Sequence, residues 1–265
     1  WLAKQGVTHN FTVTGGGAMF LNQAFGRHSA IDSTYMHHEQ ACAMAAEGYA
    51  RIAGRPAAVV LTTGPGSINA LNGVFGAYTD SIPMIVISGQ VKRETCLAFH
   101  DLPKLRQLGD QEGPTVELAK PVCKYVRQIK TPEDICEALP AAYIAAISGR
   151  PGPVWLDIPL DVQSAQVAVD IPEPLFPDAA QPVRNELETI IEQLKAAHRP
   201  IILGGTGVRL AGATEHLRQI VEQLGAPLAT AWTHDLIESS HPLFAGRPGT
   251  IGTRAGNFCL QNADF

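Results

Sequence analysis

The most constraining feature of the sequence is a pair of short, uninterrupted apolar runs, AAVVLTT at 57–63 and MIVIS at 84–88. A strand with one face in water alternates apolar and polar residues, whereas a strand covered on both faces stays apolar throughout. Segments with helical character, 40–53 and 68–79, lie next to these runs. This alternation predicts an α/β fold whose parallel sheet has helices on both faces.

The same alternation organises the rest of the chain. Further strands are predicted at 10–14, 31–36, 122–127 and 154–158, and further helices at 18–26 and 132–147. Proline then recurs without a period from 159 to 182, which is typical of an interdomain linker. Alternation resumes with helices at 186–197 and 213–224 and strands at 200–203 and 227–231. We therefore expect a domain at 1–162, a linker at 163–185, and an incomplete second, Rossmann-like α/β domain at 186–265.

Composition narrows the classes of function. Only 17% of the residues are charged, against roughly 25% in typical soluble chains, which indicates extensive burial in a core or against partner subunits. The net charge is −5 without a basic run, which argues against a nucleic-acid partner. No segment has the pattern of a membrane span or a signal peptide. The dispersed cysteines, without a Cys-x-x-Cys pair, fit core residues in a reducing cytoplasm, so a cytoplasmic protein is expected. Five dispersed cysteines and nine scattered histidines show no metal-ligand spacing.

Glycine or polar residues follow several of the predicted strands. The three segments are TGGGA at 14–18, TTGPGSIN at 62–69 and SGQ at 88–90. Each alone is compatible with an ordinary turn, and none has the spacing of a dinucleotide or P-loop phosphate motif. Because parallel sheets bind ligands at the carboxyl ends of their strands, the three segments together predict a ligand site at one sheet edge.

Glu39 begins a predicted helix within the segment HHEQACAMAAEGYAR at 37–51. A carboxylate in the first helical turn is favoured by the helix dipole, and that role alone explains most such residues. The alanines and glycine that follow lie on several helix faces, which predicts close packing and a carboxylate removed from water. A dry carboxylate needs a partner, which makes Glu39 a candidate ligand-binding residue.

The ordered segments TGGGAMF, HHEQACAMAAEGYAR and TTGPGSINALNGVFGAYTDSIPMIVISGQV closely resemble the pyrimidine-binding domain of thiamine diphosphate (ThDP) enzymes. The resemblance is nearest to the acetolactate synthase-like family and covers about 6–162, and the second domain resembles the start of that family's middle domain. It implies a ThDP-dependent 2-oxo acid decarboxylase or carboligase, a transferase or lyase. It also implies a homodimer or homotetramer with the active site at the subunit interface.

The resemblance assigns roles to individual residues. Glu39 would be catalytic, because it matches the glutamate that hydrogen-bonds N1′ of the cofactor's aminopyrimidine. The cofactor-binding residues would be Gly16, Gly17, Pro65, Gly66, Asn69 and Gln90, and the substrate channel would hold Gln111 and Lys124. The family binds the diphosphate and Mg²⁺ through a Gly-Asp-Gly motif in a C-terminal domain. This sequence has no such motif, so we expect no metal ligand in this segment and no catalysis by the segment alone.

Departures from the family pattern leave the reaction open. Thr14-Gly15 replaces Tyr-Pro, Asp110 replaces Phe, and Thr233-His234-Asp235 replaces a Gly-Lys-Gly stretch. These positions flank the substrate channel and a flavin-facing loop, so acetolactate formation and FAD binding both stay open. The alternatives are another ThDP-dependent 2-oxo acid decarboxylase or lyase, or a non-catalytic nucleotide-binding or subunit-docking α/β module. The glycine-rich turn at 204–207 motivates the last alternative.

Overall fold

A computed structural model of the chain describes residues 1–168, 170–176, 186–232 and 235–265. The chain divides into two compact units, Trp1–Pro177 and Asp178–Phe265. Part of the predicted linker, at 169 and 177–185, lies outside the described residues. Thr233 and His234 of the predicted flavin-facing loop also lie outside them.

A six-stranded parallel sheet forms the centre of the first unit, which confirms the predicted fold class. Its strands are β1 (His9–Thr12), β2 (Asp32–Tyr35), β3 (Ala57–Leu61), β4 (Met84–Gln90), β5 (Tyr125–Gln128) and β6 (Pro153–Pro159). The order across the sheet is β2-β1-β3-β4-β6-β5. The two apolar runs of the sequence became β3 and β4, and every residue of these strands is buried.

Helices cover both faces of this sheet. They are α1 (Met19–Arg27), α2 (Glu39–Ala53), α3 (Pro65–Asn69), α4 (Leu71–Thr79), α5 (Thr115–Ala119), α6 (Ile135–Ile147) and α7 (Leu160–Gln163). Side chains of β4 alternate between two cores: Ile85 packs in the core that includes residues of α6, and Val86 in the core that includes residues of α2 and α4. Burial on both faces explains why the strand sequences show no polar alternation.

Local chemistry sets the helix ends near the sheet edge. Gly54 ends α2 in the left-handed conformation, with φ +67°, as the sequence predicted. The segment predicted as one helix at 68–79 is instead divided between α3 and α4 at Ala70, whose amide donates to the Ser67 carbonyl three residues back. A Cβ on Gly73 of α4 would lie 2.7 Å from Cβ of Ala43 in α2. Glycine thus allows these two helices to pack closely.

The second unit contains a smaller parallel sheet. Its elements are α8 (Leu187–Ala196), β7 (Ile202–Gly204), α9 (Thr206–Leu210), α10 (Thr214–Leu224), β8 (Leu228–Thr230), β9 (Phe244–Gly246) and α11 (Arg254–Asn262), with strand order β7-β8-β9. Val221, Leu228 and Ile237 form its buried core. Across both units, none of the helices in the described ranges is long and apolar enough to cross a membrane.

Candidate functional site

The candidate site lies where the strand order of the large sheet reverses direction. Strand β1 pairs with β2 on one side and with β3 on the other, so the connections leaving β1 and β3 diverge and leave a crevice at the carboxyl edge. The glycine turn at 15–17 follows β1, and the turn at 64–66 follows β3. The sequence features that predicted a ligand site therefore come together at this crevice.

The first glycine turn packs against the end of β3. The amide of Gly17 donates to Oγ1 of Thr62 at 3.1 Å, and a Cβ on Gly15 would collide with the Thr62 side chain. Gly16 differs, because a Cβ placed there would meet nothing within 4 Å. Gly16 is therefore an exposed backbone position in a turn that its neighbours hold fixed.

Glu39 is the first residue of α2, at the same sheet edge. His38 caps the helix: its Nδ1 accepts a hydrogen bond from the Gln40 amide at 3.2 Å. Nδ2 of Asn69 donates to Oε2 of Glu39 at 3.0 Å, while Oε1 accepts no hydrogen bond from the described residues. Glu39 is half-buried, so within this chain its carboxylate is not dry as expected, since the first turn of α2 lies at the sheet edge rather than beneath the core.

The turn at 64–66 brings backbone close to this carboxylate. A Cβ on Gly66 would lie 3.2 Å from Oε1 of Glu39 and 2.6 Å from Cγ2 of Thr62. Pro65 is the first residue of α3, where its fixed φ is favourable and its missing N–H is not needed. Glu39, Pro65, Gly66 and Asn69 therefore form one cluster, and Pro65 and Asn69 are exposed to solvent.

The loop that carries Gln111 lies directly against the same turn. Gly64 has φ +56° and ψ −121°, a conformation open essentially to glycine alone. A Cβ on Gly64 would collide with the backbone carbonyl oxygen of Gln111, which itself has φ +58°. The predicted substrate-channel residue Gln111 is thus adjacent to the predicted cofactor turn, and its side chain is exposed.

Gln90 lies beneath these segments in a buried hydrogen-bond network. Its Oε1 accepts from Oγ1 of Thr63 at 2.7 Å and from the Val91 amide at 2.9 Å. Its Nε2 donates to the Gly113 carbonyl at 3.1 Å and to Oδ2 of Asp157 at 3.2 Å. Gln90 is 1% exposed, so it connects the site's segments from within.

Asp157 of β6 is the charged residue of this network that the sequence reasoning missed. Its carboxyl group is fully buried and accepts hydrogen bonds from Ser88, Gln90 and Gln128. Burial raises the pKa of Asp157 to about 6, although the three hydrogen bonds oppose that rise. The signal was present in the sequence, because Asp157 is the one charged residue in the apolar run VWLDI.

A cavity of about 310 Å³ lies beside this network, lined in part by Asp157, Gln128 and Glu112. Burial raises the pKa of Glu112, but hydrogen bonds from the amides of Leu108, Gly109 and Leu97 outweigh it and lower the pKa overall. Glu112 thereby ties the ends of the 97–109 loop together. Thr115 also lines the cavity, and its buried Oγ1 has no hydrogen-bond partner among the described residues.

Lys124 is not brought together with the other predicted site residues. It directly precedes β5, and so lies at the amino edge of the sheet, opposite the crevice. Its Nζ donates to the carbonyls of Ala145 and Ser148, the latter at 2.8 Å. These carbonyls lie at the carboxyl end of α6, where a cation is favourable. The structure therefore gives Lys124 a helix-capping position.

No cluster of three or more His, Cys, Asp or Glu side chains suited to a metal ion occurs within the described ranges. The five cysteines are free thiols, and burial raises the pKa of the Cys96 and Cys123 thiols to about 12. A protonated, buried thiol is a poor nucleophile and a poor metal ligand. The chemistry available at the crevice is therefore that of Glu39 and its hydrogen-bonding neighbours.

Comparisons with known proteins give the family. Residues 1–112 match the N-terminal TPP binding domain of thiamine pyrophosphate enzymes, and residues 187–265 match their central domain. A probable acetolactate synthase large subunit of Methanococcus aeolicus is 36% identical over 94% of this chain and 41% of that protein. The acetolactate synthase isozyme 3 large subunit of Escherichia coli K12 is 33% identical over 99% of this chain and 46% of that protein.

The fold agrees with these sequence matches. An X-ray structure from Mycobacterium smegmatis, described as a thiamin diphosphate-dependent enzyme, superposes with a TM-score of 0.80 at 27% identity, covering 93% of this chain and 46% of that chain. The chain thus spans less than half the length of each of these relatives. The N-terminal and central domain models of one family match this chain in that order. The N-terminal match includes Glu39 and the glycine turns that edge the crevice. The chain belongs to the thiamine pyrophosphate enzymes, with their N-terminal TPP-binding domain and sequence from their central domain.

Proposed function

We propose that the chain is part of a ThDP-dependent 2-oxo acid decarboxylase or carboligase of the acetolactate synthase type. The observation that carries the proposal is the cluster around Glu39. Asn69 holds one carboxylate oxygen, and the other faces the Gly66 backbone with no hydrogen-bond partner among the described residues. The names of the curated relatives, acetolactate synthase large subunits, indicate the reaction type.

The residues present fit the aminopyrimidine of ThDP. A ring nitrogen that carries a proton needs an acceptor, and Oε1 of Glu39 is one. A side chain at position 66 would reach 3.2 Å from that oxygen, so glycine leaves the oxygen accessible beside the turn. Gly16 offers a second exposed backbone position on the other wall of the crevice. We assign the pyrimidine to the space between these two turns.

When bound, ThDP supplies a thiazolium carbon nucleophile and an electron sink for the loss of carbon dioxide from a 2-oxo acid. The role of Glu39 is to hold a proton at N1′ of the pyrimidine through Oε1. Asn69 keeps the carboxylate oriented by its bond to Oε2. Gly16, Gly17, Pro65 and Gly66 shape the crevice, and Gln90 holds it from beneath.

We further propose a homodimer or homotetramer with the active site at a subunit interface. Helices α2 and α4, which begin beside the crevice, expose large apolar side chains: Met44 is 48% exposed, Phe75 55% and Tyr78 42%. Apolar side chains grouped on packed helices are typical of an interface. A second subunit on this face would also remove Glu39 from water, which the chain alone does not do.

Mg²⁺ would accompany the cofactor's diphosphate, and we assign both to residues outside this chain, since the sequence has no Gly-Asp-Gly motif. Five free cysteines support a reducing, cytoplasmic location. Gln111, against the Gly64 turn, is proposed to face the substrate channel. FAD binding is tested by the visible absorption spectrum of the purified enzyme, in which bound flavin absorbs.

The test uses the full-length enzyme with ThDP, Mg²⁺ and pyruvate. Calorimetry is expected to show saturable ThDP binding, and product analysis to show carbon dioxide with either acetolactate or a related acyloin. Offering paired 2-oxo acids then identifies the donor and the acceptor. Absence of ThDP binding at millimolar concentrations, with Mg²⁺ present, contradicts the proposal and favours a non-catalytic module.

A further inference from the structure

Asp157 accepts hydrogen bonds from three side chains that lie on neighbouring strands. Its Oδ1 accepts from Oγ of Ser88 at 2.6 Å, and its Oδ2 accepts from Nε2 of Gln90 at 3.2 Å and of Gln128 at 3.1 Å. The Ser88 hydroxyl in turn accepts from the Trp155 indole at 2.8 Å. Indole is a donor only, so the single Ser88 proton is left for Asp157. Every neighbour thus donates, which matches an acceptor-only carboxylate.

Backbone groups determine which end of the Gln90 amide is the oxygen and which is the nitrogen. Its oxygen accepts from the Val91 amide at 2.9 Å, and a backbone N–H is always a donor. Its nitrogen donates to the Gly113 carbonyl at 3.1 Å, and a carbonyl is always an acceptor. Oδ2 of Asp157 must therefore be an acceptor for the remaining Gln90 proton.

Gln90 joins the two segments that form the walls of the candidate site. Thr63, whose hydroxyl donates to Gln90 at 2.7 Å, directly precedes the Gly64 turn. Gly113, whose carbonyl accepts from Gln90, lies two residues after Gln111. The same two segments touch a second time where Gly64 meets the Gln111 carbonyl. A change in the Gln90 amide would therefore displace the turn at 64–66 relative to the 111–113 segment.

We propose that Asp157 is a positioning residue for the cofactor site: its carboxylate holds the Gln90 amide, and Gln90 keeps the 64–66 turn in register with the 111–113 segment. This inference rests on the proposed function, because the site it positions is the ThDP site. Among the described residues the Asp157 carboxylate has no hydrogen bond to the 64–66 turn or to the 111–113 segment, so it acts on them through Gln90. The three strands β4, β5 and β6 are tied together by the same group.

Protonation of Asp157 is expected to loosen this arrangement. A neutral carboxylic acid would add a donor to a network made of donors. Burial raises the pKa of Asp157 to about 6, so the change falls between pH 7 and pH 5. Other ionisable groups line the same cavity, and their titration must be separated from that of Asp157. They are Cys96, Arg106 and Glu112 from the loop between β4 and α5, and Glu117 from α5.

The experiment compares wild-type full-length enzyme with Asp157→Asn. Asparagine cannot titrate, and its amide nitrogen places a donor among the donors that surround Asp157, as the protonated acid does. The measured quantity is the ThDP dissociation constant, with Mg²⁺, from pH 8 to pH 5. At pH 8 the variant is expected to bind ThDP about tenfold more weakly than the wild type, because it resembles the protonated state of Asp157. Between pH 7 and pH 5 the wild type is expected to lose about tenfold more affinity than the variant. ThDP and all other residues titrate alike in both proteins, so the difference between the two pH profiles of ThDP affinity reports the titration of Asp157.

A matched pair of substitutions tests the route through Gln90. Gln128→Leu removes a donor to the same Asp157 oxygen but leaves the bonds to Thr63 and Gly113 intact, so ThDP affinity at pH 8 is expected to stay near the wild-type value. Gln90→Leu breaks both links and is expected to weaken ThDP binding at least about tenfold. Turnover at saturating ThDP is expected to fall much less than affinity, because the Glu39 chemistry is untouched.

Three results would overturn the inference. One is a wild-type pH profile that parallels that of Asp157→Asn, and another is equal loss of affinity in Gln128→Leu and Gln90→Leu. The third is an Asp157→Leu variant that has the circular dichroism spectrum of the wild-type fold and still binds ThDP normally at pH 8. Failure of the proposed function looks different, because then neither wild type nor variant binds ThDP at any pH.

Discussion

The contact between the Gly64 turn and the Gln111 loop gives the sharpest stability prediction. Gly64→Ala places a Cβ on a residue with φ +56° and ψ −121°, where a non-glycine backbone costs about 1–3 kcal/mol. The new methyl group also collides with the Gln111 carbonyl oxygen, and forcing the two packed segments apart costs about a further 1–3 kcal/mol. The expected loss is therefore about 2–6 kcal/mol, a large part of the roughly 5–15 kcal/mol that stabilises a typical domain.

A matched variant separates the two contributions. Gly54 also has a positive φ, +67°, but a Cβ there meets nothing within 4 Å. Gly54→Ala is therefore expected to cost about 1–2 kcal/mol from backbone conformation alone. Urea unfolding, followed by the fluorescence of the buried Trp155, measures both variants against the wild-type chain. Equal losses for Gly54→Ala and Gly64→Ala would refute the close approach of the two segments.

Three further predictions concern the crevice and the core. Gly16→Ala should leave the free energy of unfolding within about 0.5 kcal/mol of wild type, because the new methyl group meets no atom within 4 Å. The same variant should bind ThDP more weakly in calorimetry, and unchanged binding would exclude Gly16 from the cofactor crevice. Asn69→Ala removes the bond to Glu39 and should lower turnover about tenfold, while normal turnover would show that Glu39 needs no such support. Burial raises the pKa of the Cys123 thiol to about 12, so iodoacetamide at pH 8 should alkylate Cys123 only after unfolding. The partly exposed Cys259 should react in the folded chain, and mass spectrometry measures both reactions. Rapid labelling of Cys123 in the folded chain would contradict its burial.

Hydrophobic pattern was enough to place the large sheet. The runs that became β3 and β4 could be read because both faces of these strands are buried, and Gly54 marked the end of α2. Pattern failed where burial is partial. The second unit's β9 has only three residues, and α11 exposes Phe258 at 65%, so neither presents a strong period. The division between α3 and α4 falls at Ala70, a local change in backbone hydrogen bonding that the hydrophobic pattern does not show.

The candidate site divides in the same way. Glu39, Pro65, Gly66 and Asn69 were predicted by resemblance to a family, and the fold brings them together. Lys124 was predicted on the same basis but lies at the opposite sheet edge, because a match in sequence order does not say which end of a strand a residue occupies. Asp157 was missed because an apolar run predicts burial of a strand without showing which polar group is paired within it. Its partners come from β4 and β5 and are visible only in the folded chain.

The central claim is that Glu39 holds a proton at the cofactor's pyrimidine. The most direct test is Glu39→Gln in the full-length enzyme, with pyruvate consumption measured at saturating ThDP and Mg²⁺. Loss of the carboxylate is expected to lower turnover about 100-fold or more, the usual scale for a removed acid–base group. Glu47→Gln on the same helix, where Glu47 pairs with Arg51, should change turnover by less than about twofold. Turnover of Glu39→Gln equal to that of Glu47→Gln would contradict the account.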